Sequence, residues 1–241
     1  MVSVSVSSFA AEYYSRLPEG AFGRFVREPE RREWAFTVER GGELVFVRRK
    51  KWDEVKGFVE LYHSMGYFEE PTRWEGLTGW DLIIDVDVDL ANDDSESLEE
   101  IVDQAGEAAE ELREAAEVFL GRPDVVNFSG AKGFHLRWMD VPIPDTVTDI
   151  DPDTVARASR KLVQAIVDYA GEEYEDYVDL QIYQVNRLIR VVGSLNAKTL
   201  LPAVPVDDPS FEGVVDGLPE AWWEAAERVC PSLPQFLGVD R

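Results

Sequence analysis

A chain of 241 residues that is 45% hydrophobic, with seven Trp, twelve Phe and eight Tyr, holds enough apolar material for a sizeable core and is no acidic disordered protein. Its 48 acidic against 24 basic residues give a net charge of −24, which either repels polyanionic partners or marks adaptation to concentrated salt; the even spread of acid favours salt adaptation. One cysteine, Cys230, and two histidines, His63 and His135, exclude an internal disulfide and leave no ligand set for a structural zinc. No apolar run approaches the ~20 residues of a membrane span, and the Ser/Val-rich start lacks a signal peptide's basic end, so a cytoplasmic location is expected.

Taken in order, residues 7–17 place Phe9, Tyr13 and Leu17 on one side of a helix that Pro18 ends. Residues 34–39 and 43–48 flank Gly41-Gly42, the pattern of a two-residue β-hairpin. Trp52, Val55, Val59 and Tyr62 have helical spacing, which predicts a helix over 51–65 with Gly66 as its C-cap. A strand is expected over 81–89 and a loop over 91–96. Ser97 and Glu100 have capping-box spacing for a helix to Leu120, with Ile101, Ala105, Ala108, Leu112, Ala115 and Phe119 inward.

Residues 125–128 and 134–138 read as two strands joined by Ser-Gly-Ala-Lys-Gly, and Asp151-Pro152 opens a helix to Tyr169 that buries Val155, Leu162, Ala165 and Ile166. A helix over 219–229 and a short packed tail over 231–237 complete the chain. There is no internal repeat and no low-complexity linker, so a single domain over 1–241 is expected. Strands interleaved with helices indicate an α+β fold.

In the strand 81–89, Leu82, Ile84, Val86 and Val88 alternate with Ile83, Asp85, Asp87 and Asp89. Carboxylates on one side of a strand sit roughly 6.5–7 Å apart and repel unless a cation lies between them. Asp85 and Asp87 are therefore candidate metal ligands, with Asp89 at the strand's end. In Ser129-Gly-Ala-Lys132-Gly-Phe-His135 two glycines let backbone approach a ligand, while Ser129, Lys132 and His135 supply hydroxyl, ammonium and imidazole donors suited to a triphosphate. A third segment, 179–199, concentrates Arg187, Arg190 and Lys198 in an otherwise acidic chain, as an anion site would.

Leu-Ile-Ile-Asp-Val-Asp, Phe-Ser-Gly-x-Lys-Gly-Phe-His and Arg-Leu-Ile-Arg-x-x-x-Ser-Leu-Asn-x-Lys-Thr, in that order, resemble the small catalytic subunit of archaeal and eukaryotic DNA primase, in the archaeo-eukaryotic primase superfamily. The likeness takes in Arg32-Glu-Trp-Ala-Phe36 and covers roughly residues 30–205. It implies an RRM-like mixed sheet flanked by helices and a two-metal site for Mg²⁺ or Mn²⁺ that transfers nucleotides in primer synthesis. By position it implies Asp85, Asp87 and Asp179 as catalytic and metal-binding carboxylates, and Ser129, Lys132, His135, Arg190, Asn196 and Lys198 as nucleotide-binding residues. Single-stranded DNA, NTPs or dNTPs, and a primase large subunit are the implied partners.

The chain departs from that family in four places. Lys132 stands where Arg is frequent, Asn196 stands where His is usual, the Cys/His zinc module that many members carry after the acidic pair has no counterpart, and the stretch Asp179 to Arg190 reads as a residue shorter than usual. Four other readings remain open on the sequence alone: a mobile element's primase-polymerase, an end-joining polymerase, a non-catalytic primase-like module that binds nucleic acid or a replication partner, and a metal-dependent glycosyltransferase using Asp85 and Asp87.

Overall fold

The computed structural model describes residues 5–88, 97–142 and 150–239. Helix α1 (Val6–Arg16) begins where the Ser5 hydroxyl accepts from the Ser8 N–H; it buries Phe9 and Tyr13, as the spacing predicts, and Ala10, while Leu17 is half-buried at the C-cap. Strands β1 (Trp34–Arg40) and β2 (Glu43–Lys50) form the expected hairpin. Gly41 and Gly42 take φ values of 62° and 86°, the left-handed backbone that a tight hairpin turn requires.

The helix expected over 51–65 is absent. Trp52–Glu54 make one 3₁₀ turn, Gly57 sits at φ 56°, and β3 (Glu60–Ser64) is a strand between β1 and a later strand, β8 (Leu188–Arg190). Val59, Leu61, His63 and Met65 are buried at every second position, so the segment carries a strand pattern beside the helical one of Trp52, Val55, Val59 and Tyr62. The open edge of β1 decides between them, because pairing satisfies a row of backbone donors and acceptors that a helix would leave bare. Gly66 then opens β4 (Gly66–Glu70) instead of capping a helix.

The chain passes from one sheet to another through Met65, whose carbonyl accepts from the Asp81 N–H at 2.9 Å. Strand β5 (Glu75–Asp87) starts earlier than the sequence suggests and pairs with β4 and with β7 (Gly133–Pro142), which pairs with β6 (Val125–Phe128). The result is two four-stranded sheets, β2-β1-β3-β8 and β4-β5-β7-β6, antiparallel in every pairing. The α+β expectation stands; the strands divide between two antiparallel sheets where the resemblance implied one mixed sheet. Asp89 and the loop 91–96 lie outside the described residues.

Helix α2 (Leu98–Leu120) has the predicted capping box and buries Ile101, Val102, Ala105, Ala108, Leu112 and Ala115 against β5 and β7. Phe119, expected inward, is 47% exposed and meets the ring of Tyr169 edge-on at 5.4 Å. Helix α3 (Pro152–Ala170) is capped by Asp151 and buries Ala156, Ser159, Val163, Ile166 and Val167. Ala165 is exposed, and Val155 and Leu162 are half-buried. The buried stripe is turned from the expected one because α3 packs on both α2 and β5. A Cβ on Gly106 of α2 would lie 1.7 Å from the Pro209 carbonyl oxygen, so only glycine admits that segment.

Strand β8 (Leu188–Arg190) closes the first sheet. Helix α4 (Phe211–Gly217), which the sequence reading missed, follows a Ser210 cap; α5 (Glu220–Val229) matches expectation, and the expected packed tail is a short helix, α6 (Leu233–Leu237), that buries Leu233 and leaves Phe236 exposed. Trp222 of α5 is fully buried and packs on Phe9 of α1. A buried side chain of this size contributes about 1.5–3 kcal/mol through apolar area alone. Among the described residues no helix is long and apolar enough to cross a membrane.

Candidate active site

Antiparallel register places Asn127, His135 and Asp85 in one row across β6, β7 and β5, with Asp87 opposite Gly133. Ile84 and Val86 bury the other face of β5. The His135 Nε2 atom lies 3.3 Å from Asp85 Oδ1, and Lys132 Nζ lies 3.5 Å from Asp87 Oδ2 while donating to the Val88 carbonyl. Burial, then the charge of Asp85, pushes the Asp87 carboxyl up to about 6, against the opposing pull of Lys132. Its Oδ1 atom is buried and has no hydrogen-bond partner.

A crowded carboxylate pair with an orphaned oxygen fits a divalent cation. Asp179 reaches the pair through the backbone: its N–H donates to the Asp85 carbonyl at 3.1 Å, and Val178 bridges to Val86. Its carboxylate accepts from the Gln181 N–H at 2.7 Å. Among the described residues no three acidic, His or Cys side chains close into a ready-made cage. The nearby Tyr183 hydroxyl, bonded to the Ile83 carbonyl, is pushed well above its usual pKa by burial and then by Asp85 and Asp179.

The loop Ser129–Lys132 lies close against its neighbours. A Cβ on Gly133 would sit 2.0 Å from the Val86 carbonyl oxygen, and Gly130, at φ 91°, has the Leu201 carbonyl and Arg190 Nη1 around 3.1 and 3.3 Å from the same notional atom. The Ser129 N–H donates to the Gly133 carbonyl at 2.8 Å, and the Thr199 hydroxyl to the Gly130 carbonyl at 2.6 Å. Three sequence-distant segments thus share one corner of the fold: 85–87, 129–135 and 190–199.

Arg190 is held by the other sheet. Its Nη2 lies 3.2 Å from Glu60 Oε1 and 3.1 Å from the Tyr62 hydroxyl, while Nη1 is buried and unpartnered. Glu60 also accepts from the Thr37 hydroxyl at 2.8 Å and the Ala197 N–H at 3.0 Å. Asn196 turns its Oδ1 to the Lys198 N–H at 2.8 Å, so its carbonyl oxygen stabilises a turn. Lys198 and Arg187 are exposed.

Arg187 lines a groove of about 360 Å³ with Phe46, Arg48 and Tyr62, and a neighbouring groove containing Arg73 and Trp74 shares Gln184 and Asn186 with it. Sequence reasoning missed Glu60 and Tyr62 because it read their segment as a helix. The alternation of Val59, Leu61, His63 and Met65 with Glu60, Tyr62 and Ser64 is the signal that would have placed them on a strand.

No family model matches the chain. It is 42% identical to the DNA primase small subunit PriS of Methanopyrus kandleri over 220 residues, covering 84% of this chain and 74% of that protein. With PriS of Pyrobaculum islandicum the identity is 29% over 235 residues, covering 79% and 75%. Among solved structures, the polymerase domain from Mycobacterium tuberculosis Ligase D in complex with DNA superposes with a TM-score of 0.51 at 14% identity, covering 96% of this chain and 90% of that one; this is a likeness of fold. At 42% identity over most of both sequences, and with the three motif segments meeting in one corner, the chain belongs to the DNA primase small-subunit family.

Proposed function

We propose that this nucleotidyltransferase builds short primers on single-stranded DNA from NTPs or dNTPs, at a centre formed by Asp85, Asp87 and Asp179. The observation that carries the reading is the Asp85–Asp87 pair, with its orphaned Asp87 Oδ1, facing Lys132 and His135. Two Mg²⁺ or Mn²⁺ ions held by these carboxylates would supply an activated hydroxyl nucleophile and charge neutralisation of the leaving pyrophosphate.

The chain's own residues bind and orient. Lys132 balances the acidic pair and, with Ser129 and His135, offers donors to a triphosphate. Arg190, fixed by Glu60 and Tyr62, keeps its Nη1 free beside the glycine loop for a further phosphate oxygen. Lys198 adds an exposed cation in the turn that Asn196 stabilises. The groove of Phe46, Tyr62, Arg48 and Arg187 suits an unpaired nucleic-acid strand, with rings for bases and guanidinium groups for phosphates. Membership of a small-subunit family extends the proposal to a large-subunit partner.

The test is synthesis on single-stranded DNA in high KCl with labelled nucleotides and either metal. Product from the wild type and none from Asp85→Asn/Asp87→Asn is the expected result. A wild type that makes no product, even with a supplied primer and a large subunit, overturns the proposal.

A further inference from the structure

Arg137 lies two residues beyond His135 on β7 and is only 2% exposed. Burying a guanidinium is costly unless its donors are used, yet its Nε has no partner. Two bonds are made by Nη2: to the Arg190 carbonyl at 2.7 Å and to His135 Nδ1 at 3.0 Å. Asn127 Nδ2 lies 3.4 Å from the same Nδ1. That amide is oriented unambiguously, because its Nδ2 also donates to the Phe128 carbonyl at 2.8 Å. A guanidinium is donor-only, and the Asn127 nitrogen is a donor, so the nitrogen they both approach has to be an acceptor.

We infer that Arg137, assisted by Asn127, is a positioning residue that locks His135 in the tautomer with a bare Nδ1 and a proton on Nε2. The Nε2–H then points to Asp85, 3.3 Å away, and is the donor handed to a triphosphate oxygen when a nucleotide enters. In this tautomer the ring nitrogen facing the carboxylates carries its proton and has no in-plane lone pair to offer, so His135 serves there as neither a metal ligand nor a general base. The same guanidinium nitrogen also holds the Arg190 backbone, so one buried side chain sets two of the nucleotide-facing groups. The catalytic part of this inference rests on the proposed function; the tautomer does not.

The chain's two histidines make the test direct, and they are built oppositely. His63 Nδ1 faces the Ser64 carbonyl, an acceptor, at 2.7 Å and Arg32 Nη1, a donor, at 3.2 Å, and the shorter contact favours a proton on Nδ1. Long-range ¹H–¹⁵N correlation spectra of the full chain with ¹⁵N-labelled histidine, free of metal and nucleotide and assigned with His135→Gln, should show one Nε2–H ring, His135, and one Nδ1–H ring, His63. Arg137→Met should shift or mix the His135 tautomer; the charge of Arg137 bears on His63, but no hydrogen bond joins them, so a His63 that keeps its tautomer reports an intact fold. In synthesis assays the same variant should raise the nucleotide KM about tenfold with a smaller change in kcat.

A wild-type His135 that carries its proton on Nδ1 overturns the inference, and so does an Arg137→Met protein whose His135 tautomer and KM are unchanged. Should Arg137→Met fail to fold, the wild-type spectrum decides alone. A protein showing the expected tautomer but making no primer would refute the proposed function and leave the tautomer lock standing.

Discussion

Two buried polar clusters stand side by side in this fold and are finished to different degrees. Around Arg32, at the junction of the sheets, the donors are used: Nε to the Arg27 carbonyl at 3.0 Å, Nη1 to the Ser64 carbonyl at 2.7 Å and Nη2 to Asp81 at 2.7 Å. The Tyr67 ring covers the guanidinium at 3.8 Å, and the Tyr67 hydroxyl donates to Asp81 at 2.6 Å. Around Asp85, by contrast, Asp87 Oδ1, Asn127 Oδ1, Arg137 Nε and Arg190 Nη1 are buried without partners, four of the six such side-chain atoms among the described residues, against one, His63 Nε2, beside Arg32. A satisfied network specifies structure, whereas unspent hydrogen-bonding capacity at one corner is what a ligand would complete.

The sharpest way to break this contrast is to remove charge from each cluster in turn. Asp85→Asn/Asp87→Asn should reduce synthesis to background while the melting temperature does not fall, since the crowded pair opposes folding as much as it serves chemistry. A loss of fold in that variant would place the pair with the structural cluster. Asp81→Asn should do the reverse. It leaves the buried Arg32 charge without its counter-ion, which costs about 3–5 kcal/mol in urea unfolding, while activity per folded molecule persists.

What the sequence made legible was whatever is encoded locally. Ser97 with Glu100 marked the start of α2, Gly41-Gly42 marked the hairpin, and alternation along 82–87 put Asp85 and Asp87 on one face. The segment 51–65 misled because Trp52, Val55, Val59 and Tyr62 fit a helix, while the strands that claim it, β1 and β8, lie far away along the chain. Glu60 was lost with it. Arg137 and Asn127 fell inside correctly expected strands, but their bearing on His135 exists only through the β6–β7 register. Asn196 was expected at the nucleotide from its place in a motif, and its side-chain oxygen is engaged in the turn it helps to build.

A milder probe separates the grooved sheet from the acidic one. Phe46 is 50% exposed and meets Tyr62 edge-on at 5.6 Å, so Phe46→Ala should scarcely alter stability. If a base stacks there, single-stranded DNA binding measured by fluorescence anisotropy should weaken by about 1–3 kcal/mol. Unchanged binding would move the strand's path elsewhere and leave the carboxylate site as the whole of the nucleic-acid contact.

The smallest expected effect is a pH dependence that belongs to the finished cluster. Burial, then the charges of Arg32 and Arg137, holds His63 well below its usual pKa, so the folded state resists a proton that the unfolded chain accepts. The unfolded chain therefore binds more protons below about 6.5, and the stability from this group is complete above that pH and lost as pH falls beneath it. One such group gives a slope of at most about 1.4 kcal/mol per pH unit. Asp87, raised to about 6, acts with the opposite sign over an overlapping range, because there the folded state holds the extra proton. Urea unfolding between pH 7.5 and 5 should accordingly show a steeper acid loss in Asp85→Asn/Asp87→Asn than in the wild type, and equal slopes would mean that the two clusters do not titrate as their burial requires.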